Sequence, residues 1–143
     1  MLKTVYDTNI MISAFLKKGG LGYKLLDAAR NNQVKLYLSE EILEEVEDVL
    51  NRPKLRKKRT YTDEDIKIYL GKIRSAAEIV KDLPSVTIVR DPDDDMVIAT
   101  ALKAEATYIV TKDDDLLSIG IYKEIQIIKP EDFINKLNDK TTL

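Results

Sequence analysis

Two hydrophobic periodicities alternate along this chain, and that alternation restricts its fold more than any other feature. Short apolar runs of strand type lie at Val5-Tyr6, Val34–Leu38, Val86–Val89, Tyr108–Thr111 and Ile125–Ile128. Between them, apolar residues recur at helical spacing over roughly 9–16, 22–31, 40–50, 62–80 and 91–104, with a short turn at Leu116-Leu117 and a last helix from Pro130. The clearest is 62–80, where Ile66, Tyr69, Leu70, Ile73, Ala76, Ala77 and Val80 repeat with a period of about 3.6. Local punctuation agrees. Gly19, Gly20 and Gly22 mark a loop, Ser39 and Thr62 are N-cap residues, and Pro53 stops a helix before a basic run. The resulting order, β-α-α-β-α-α-β-α-β-(α)-β-α, predicts a single-domain three-layer α/β/α fold with a mainly parallel sheet of about five strands. At 143 residues the chain supports one core, assigned to 1–137, with a frayed tail at 138–143.

The chain contains no His and no Cys. That excludes a Ser-His-Asp triad, a thiol nucleophile, an imidazole base and a thiolate zinc site. Catalysis then falls to carboxylates or to a metal held by oxygen, which favours Mg²⁺, Mn²⁺ or Ca²⁺. Net charge is −2 and gives no reason by itself to expect a nucleic-acid partner. The distribution is more informative. Arg52, Lys54, Arg56, Lys57, Lys58 and Arg59 form one basic run, and acids collect at 40–48, 91–95 and 113–115. No apolar run approaches the roughly 20 residues that span a bilayer, and the first residues do not read as a signal peptide, so a cytoplasmic, membrane-free protein is expected.

Ligands of open parallel sheets bind beyond the carboxyl ends of the strands. Two strands here end in acids, at Asp7 and at Asp113. In the helix at 40–50, Ile42, Leu43, Val46, Val49 and Leu50 form the buried stripe. Glu44 lies opposite it, and Glu45 sits on its flank within reach of the sheet edge. In Asp91-Pro92-Asp93-Asp94-Asp95, capping and the positive helix end account for Asp91, Asp93 and Asp94. Asp95 lies in line with Ile98, Ala99 and Leu102, where an acid is costly unless paired or bound to a cation.

Together these residues resemble the PIN-domain family, which includes VapC-type toxins of toxin–antitoxin pairs. Val5-Tyr6-Asp7-Thr8-Asn9 resembles the family's first acid motif. Ser39–Leu50 followed by Asn51-Arg52-Pro53-Lys54 resembles the second, with Glu45 at the acid or, one residue out of register, Glu44. Asp91–Ala99 resembles the third, with Asp95 at the acid. Val110–Leu117 resembles the fourth, with Asp113 at the acid and Asp115 able to share its role.

The resemblance implies a catalytic and metal-binding set of Asp7, Glu45, Asp95 and Asp113, one or two Mg²⁺ or Mn²⁺ ions, and cleavage of single-stranded RNA. It also implies a toxin role with an antitoxin partner, and frequent homodimers. Asn9, Thr111 and Asp115 are the expected supporting residues. Arg52, Lys54, Arg56 and Lys57 are candidate RNA contacts, and Tyr23 and Tyr61 are candidate base-stacking rings. Two other readings stay open. One is a non-catalytic PIN-like module that binds RNA or protein. The other is a phosphohydrolase of the haloacid dehalogenase type, which would want an acid where Asn9 stands.

Overall fold

The structure, a computed structural model, describes residues 1–139. In chain order the elements are β1 (Leu2–Tyr6), α1 (Thr8–Leu16), α2 (Leu21–Arg30), β2 (Val34–Ser39), α3 (Glu40–Leu50), α4 (Pro53–Lys58), α5 (Asp63–Ala76), β3 (Ala77–Val80), α6 (Pro92–Ala104), β4 (Tyr108–Val110), α7 (Asp114–Leu117), β5 (Ile121–Tyr122), β6 (Ile125–Ile128) and α8 (Pro130–Asn138). The sheet order is β3-β2-β1-β4-β6-β5. Five strands run parallel, as the alternation predicts, and β5 adds a short antiparallel edge against β6.

β1 lies mid-sheet between β2 and β4, with Tyr6 level with Val110. That registry sets the carboxyl ends of β1 and β4 side by side. Val5, Tyr6, Leu36, Leu38, Ile109 and Val110 fill the sheet, and Ile10, Leu25, Ile42, Ile73, Ile98 and Phe133 cover it from the helices. Among the described residues no helix is long and apolar enough to cross a membrane.

The structure departs from the sequence pattern in three places. The helical period of 62–80 ends early: α5 stops at Ala76 and residues 77–80 become β3, pairing with β2 from Leu36↔Ala77 onward. An edge position beside β2 outweighs the helical period once the chain reaches the sheet. Residues 86–89, expected as a strand, pair with no strand, because the Ile88 and Val89 amides donate to the Asp95 carboxylate instead. The basic run itself forms a short helix. Pro53 serves as the first residue of α4 rather than only as a stop. In the expected tail, Asn138 closes α8 and the Asp139 amide donates to Asn135, while 140–143 lie outside the described residues.

Candidate metal centre

The site begins where β1 ends. The Asp7 amide donates to the Val110 carbonyl at 3.0 Å, continuing the sheet by one residue. Its side chain then caps α1, with Oδ1 accepting the Thr8 amide at 2.7 Å. Oδ2 accepts from the Thr111 hydroxyl at 2.6 Å and from Asn9 Nδ2 at 3.2 Å. The Thr111 hydroxyl in turn accepts the Asp113 amide at 2.9 Å. One hydroxyl therefore locks the two acidic strand ends together. Asp113 caps α7 through Oδ1, which accepts the amides of Asp115 and Leu116, and the residue lines the pocket.

Two helices complete the wall. The N-terminus of α6 brings Asp91, Asp93 and Asp94, and α3 contributes Glu45 and Val49. The cavity of about 370 Å³ is lined by these residues with Asp7, Thr8, Asn9, Ile12, Ser13 and Asp113. Asp94 is only 6% exposed, and its Oδ2 is buried with no hydrogen-bond partner. Asp94, Asp113 and Asp115 can each place one carboxylate oxygen within 4.8 Å of the others.

Crowded, partly desolvated carboxylates resist ionisation. Burial pushes the Asp94 carboxyl up to about 7, with Asp113 and Asp7 adding like-charge repulsion. Burial also raises Glu45 to about 7, followed by like-charge repulsion from Asp93 and Asp7. Asp7 is raised by burial as well, against the Thr111 and Thr8 hydrogen bonds, which favour its charged form. A buried carboxylate oxygen without a donor, in a pocket whose donor set is all oxygen, matches a hard divalent cation.

The profile of the PIN-domain family matches residues 3–115, a span that includes every acid of the pocket. The chain belongs to the PIN-domain family. An uncharacterised protein of Methanocaldococcus jannaschii, MJ1680, is 34% identical over 118 residues, 82% of this chain and 75% of that one. Among solved structures, the crystal structure of VapBC2 from Rickettsia felis bound to a DNA fragment from their promoter shares the fold, with a TM-score of 0.61. It is 18% identical, and the match covers 90% of this chain and 98% of that one.

Within this PIN domain, Asp7, Glu45 and Asp113 all line the pocket, and Asn9 and Thr111 sit beside them as ties. Asp115 lies at the rim, with Arg90 at 3.9 Å. Asp95 does not line the pocket. Its Oδ1 accepts the Ile88 and Val89 amides at 2.9 and 2.8 Å, so the cation-like partner that an acid on this helix face needs is a pair of backbone N–H groups. Asp94, assigned by sequence to the helix cap, takes the place in the pocket. Both acids head apolar lines along α6 in the sequence, and only burial in the fold separates them. Asp94 stands in line with Val97, Ile98 and Ala101, all fully buried, whereas the line from Asp95 ends at the half-buried Leu102.

None of Arg52, Lys54, Arg56 and Lys57 lines the acidic pocket. Arg52 is exposed beside Asp48, and Lys54 and Lys57 are exposed on α4. Arg56 is spent internally on the Tyr61 carbonyl, Asn51 and Asp63. Tyr23 and Tyr61 line a separate cleft of about 560 Å³ at the C-terminal end of α1, together with Lys18, Arg30, Arg59 and Lys72. Asn9, where a haloacid dehalogenase would carry an acid, donates to Asp7.

Proposed function

We propose that this PIN domain is a Mg²⁺- or Mn²⁺-dependent endoribonuclease that cuts single-stranded RNA and serves as the toxin of a toxin–antitoxin pair. The observation that carries the reading is the buried, partnerless Asp94 oxygen in a pocket walled by Asp7, Glu45 and Asp113. Bare, these carboxylates would repel a phosphodiester, so the arrangement makes chemical sense around a cation. A divalent ion there would polarise a phosphoryl oxygen and offset the charge that builds on the leaving oxygen.

The chain's own residues have separable tasks. Asp7, Asp94 and Asp113 would hold the cation from three elements, and Asp115, with an oxygen within 4.8 Å of those of Asp94 and Asp113, would support them. Thr111 and Asn9 fix the Asp7 carboxylate through their hydrogen bonds. Glu45, on the opposite wall, orients the attacking water and accepts its proton. A carboxyl held at about 7 is matched to proton transfer near neutral pH. In-line attack leaves a 5′-phosphate and a 3′-hydroxyl.

The toxin role and the antitoxin partner draw support from the fold shared with VapBC2 of Rickettsia felis. A homodimer and a cytoplasmic location are part of the same proposal. The test is cleavage of a labelled single-stranded RNA by wild type and Asp7→Asn, with Mn²⁺ and with chelator. The proposal expects cutting only by wild type with metal. Equal, chelator-resistant cutting by both proteins would overturn it, and RNA binding without any cutting would favour the binding-module reading.

A further inference from the structure

Lys112 stands between Thr111 and Asp113, both tied to the acidic pocket, yet no role in holding a cation falls to it. Its backbone N–H donates to Asn9 Oδ1 at 3.4 Å, and its ammonium donates to the Ser13 hydroxyl at 2.7 Å. Ser13 lies one helical turn beyond Asn9 on the α1 face that lines the pocket. Six carboxylates, Asp7, Glu45, Asp91, Asp93, Asp94 and Asp113, line that cavity. Among the described residues, however, none lies within ion-pair distance of the Lys112 ammonium. An exposed cation beside so much negative charge is held off it by a neutral hydroxyl.

The geometry points to Lys112 and Ser13 as a phosphate-binding pair that seats the backbone of a single-stranded nucleic acid at the pocket rim. This rests on the nuclease reading and adds to it where the strand enters. The ammonium has donors left after its bond to Ser13. Ser13 accepts that bond, so its own hydrogen is free to point at an incoming oxygen. Two donors on one wall suit a non-bridging phosphate oxygen next to the one being cut. The acids cannot supply this contact, because they accept and never donate when ionised. The competing account makes Lys112 a tether that fixes the loop after β4 to α1 and so places Asp113.

The two accounts separate in binding. The measurement is the affinity for a phosphorothioate single-stranded oligonucleotide in Ca²⁺ across a salt series, for wild type, Lys112→Ala, Lys112→Arg and Lys103→Ala. Lys103 is a net-charge control near the far end of α6. Loss of one phosphate contact should flatten the slope of log K against log salt by about 0.7 in Lys112→Ala. With RNA and Mn²⁺, KM should rise roughly tenfold with kcat within about twofold, the scale of one charge-assisted hydrogen bond. Lys112→Arg should restore most of both, and Lys103→Ala should match wild type.

Mn²⁺ affinity by calorimetry should be the same in all four proteins. An unchanged salt slope with reduced kcat and weakened Mn²⁺ binding would establish the tether and overturn the phosphate role. So would a wild type that binds no single strand. A changed slope in a protein that cuts nothing would keep the contact and remove only the nuclease reading.

Discussion

Asp94 and Asp95 are neighbours in sequence with opposite structural roles, and thermal stability should report that directly. In the metal-free protein Asp94 is a cost. Its carboxyl is raised from 3.8 to about 7, so folding disfavours its charged form. The penalty is absent below the unfolded value near 3.8, grows as pH rises, and is complete above about 7. A shift of that size has a ceiling of ~4 kcal/mol, and solvent in an open pocket reduces it to about 2 kcal/mol.

Asp94→Asn removes the charge while its amide can donate to the surrounding carboxylates. In chelator at pH 8.5 it should therefore raise the melting temperature by about 5 °C, and roughly half of that gain should remain at pH 5.5. Asp95→Ala should do the opposite. It strips the acceptor from the Ile88 and Val89 amides and should cost about 1–2 kcal/mol. Asp95→Asn keeps Oδ1 and should lose less than half as much. Calorimetric melts of the four proteins at the two pH values check this. If Asp94→Asn lowers the melting temperature at pH 8.5, or raises it equally at both pH values, the carboxylate crowding that underlies the metal assignment is wrong.

Other outcomes follow from the same geometry. Apparent Mn²⁺ affinity should strengthen between pH 6 and 8, because Asp94 holds a proton below about 7 and must release it to bind a cation. Calorimetry in buffers of different ionisation heat should find proton release at pH 6 and almost none at pH 8.5; a pH-independent affinity would contradict it. Thr111→Val should lower kcat on RNA at least tenfold, since its hydroxyl alone ties Asp7 to the Asp113 amide; a variant within twofold of wild type would show that the tie is dispensable. Gly22→Ala should cost about 1–3 kcal/mol in a denaturant titration. An added Cβ would sit 2.8 Å from the Ile10 carbonyl and 3.0 Å from the Ala14 amide, driving α2 off α1.

Features written in local periodicity were legible in the sequence. The parallel sheet and the two acidic strand ends follow from strand and helix periods, and registry between β1 and β4 then brings Asp7 and Asp113 together. What escaped depends on contacts between distant segments. The turn of chain at 77–80 from helical period to β3 is decided by the free edge of β2. The choice between Asp94 and Asp95 is decided by the 86–89 segment, whose apolar pattern reads as a strand but whose amides pair with a side chain. A helical wheel shows which residues share a face with the core. It does not show which face meets unpaired backbone donors. The Lys112–Ser13 contact likewise joins residues far apart in the chain and leaves no local pattern.

The central claim is that Asp7, Asp94 and Asp113 converge on one hard cation. Anomalous scattering from crystals grown with Mn²⁺ tests it most directly. The account predicts a peak about 2.0–2.3 Å from oxygens of all three carboxylates, with Asp95 still on the Ile88 and Val89 amides. A peak ligated by Asp95, or no peak in the pocket at millimolar Mn²⁺, would contradict it.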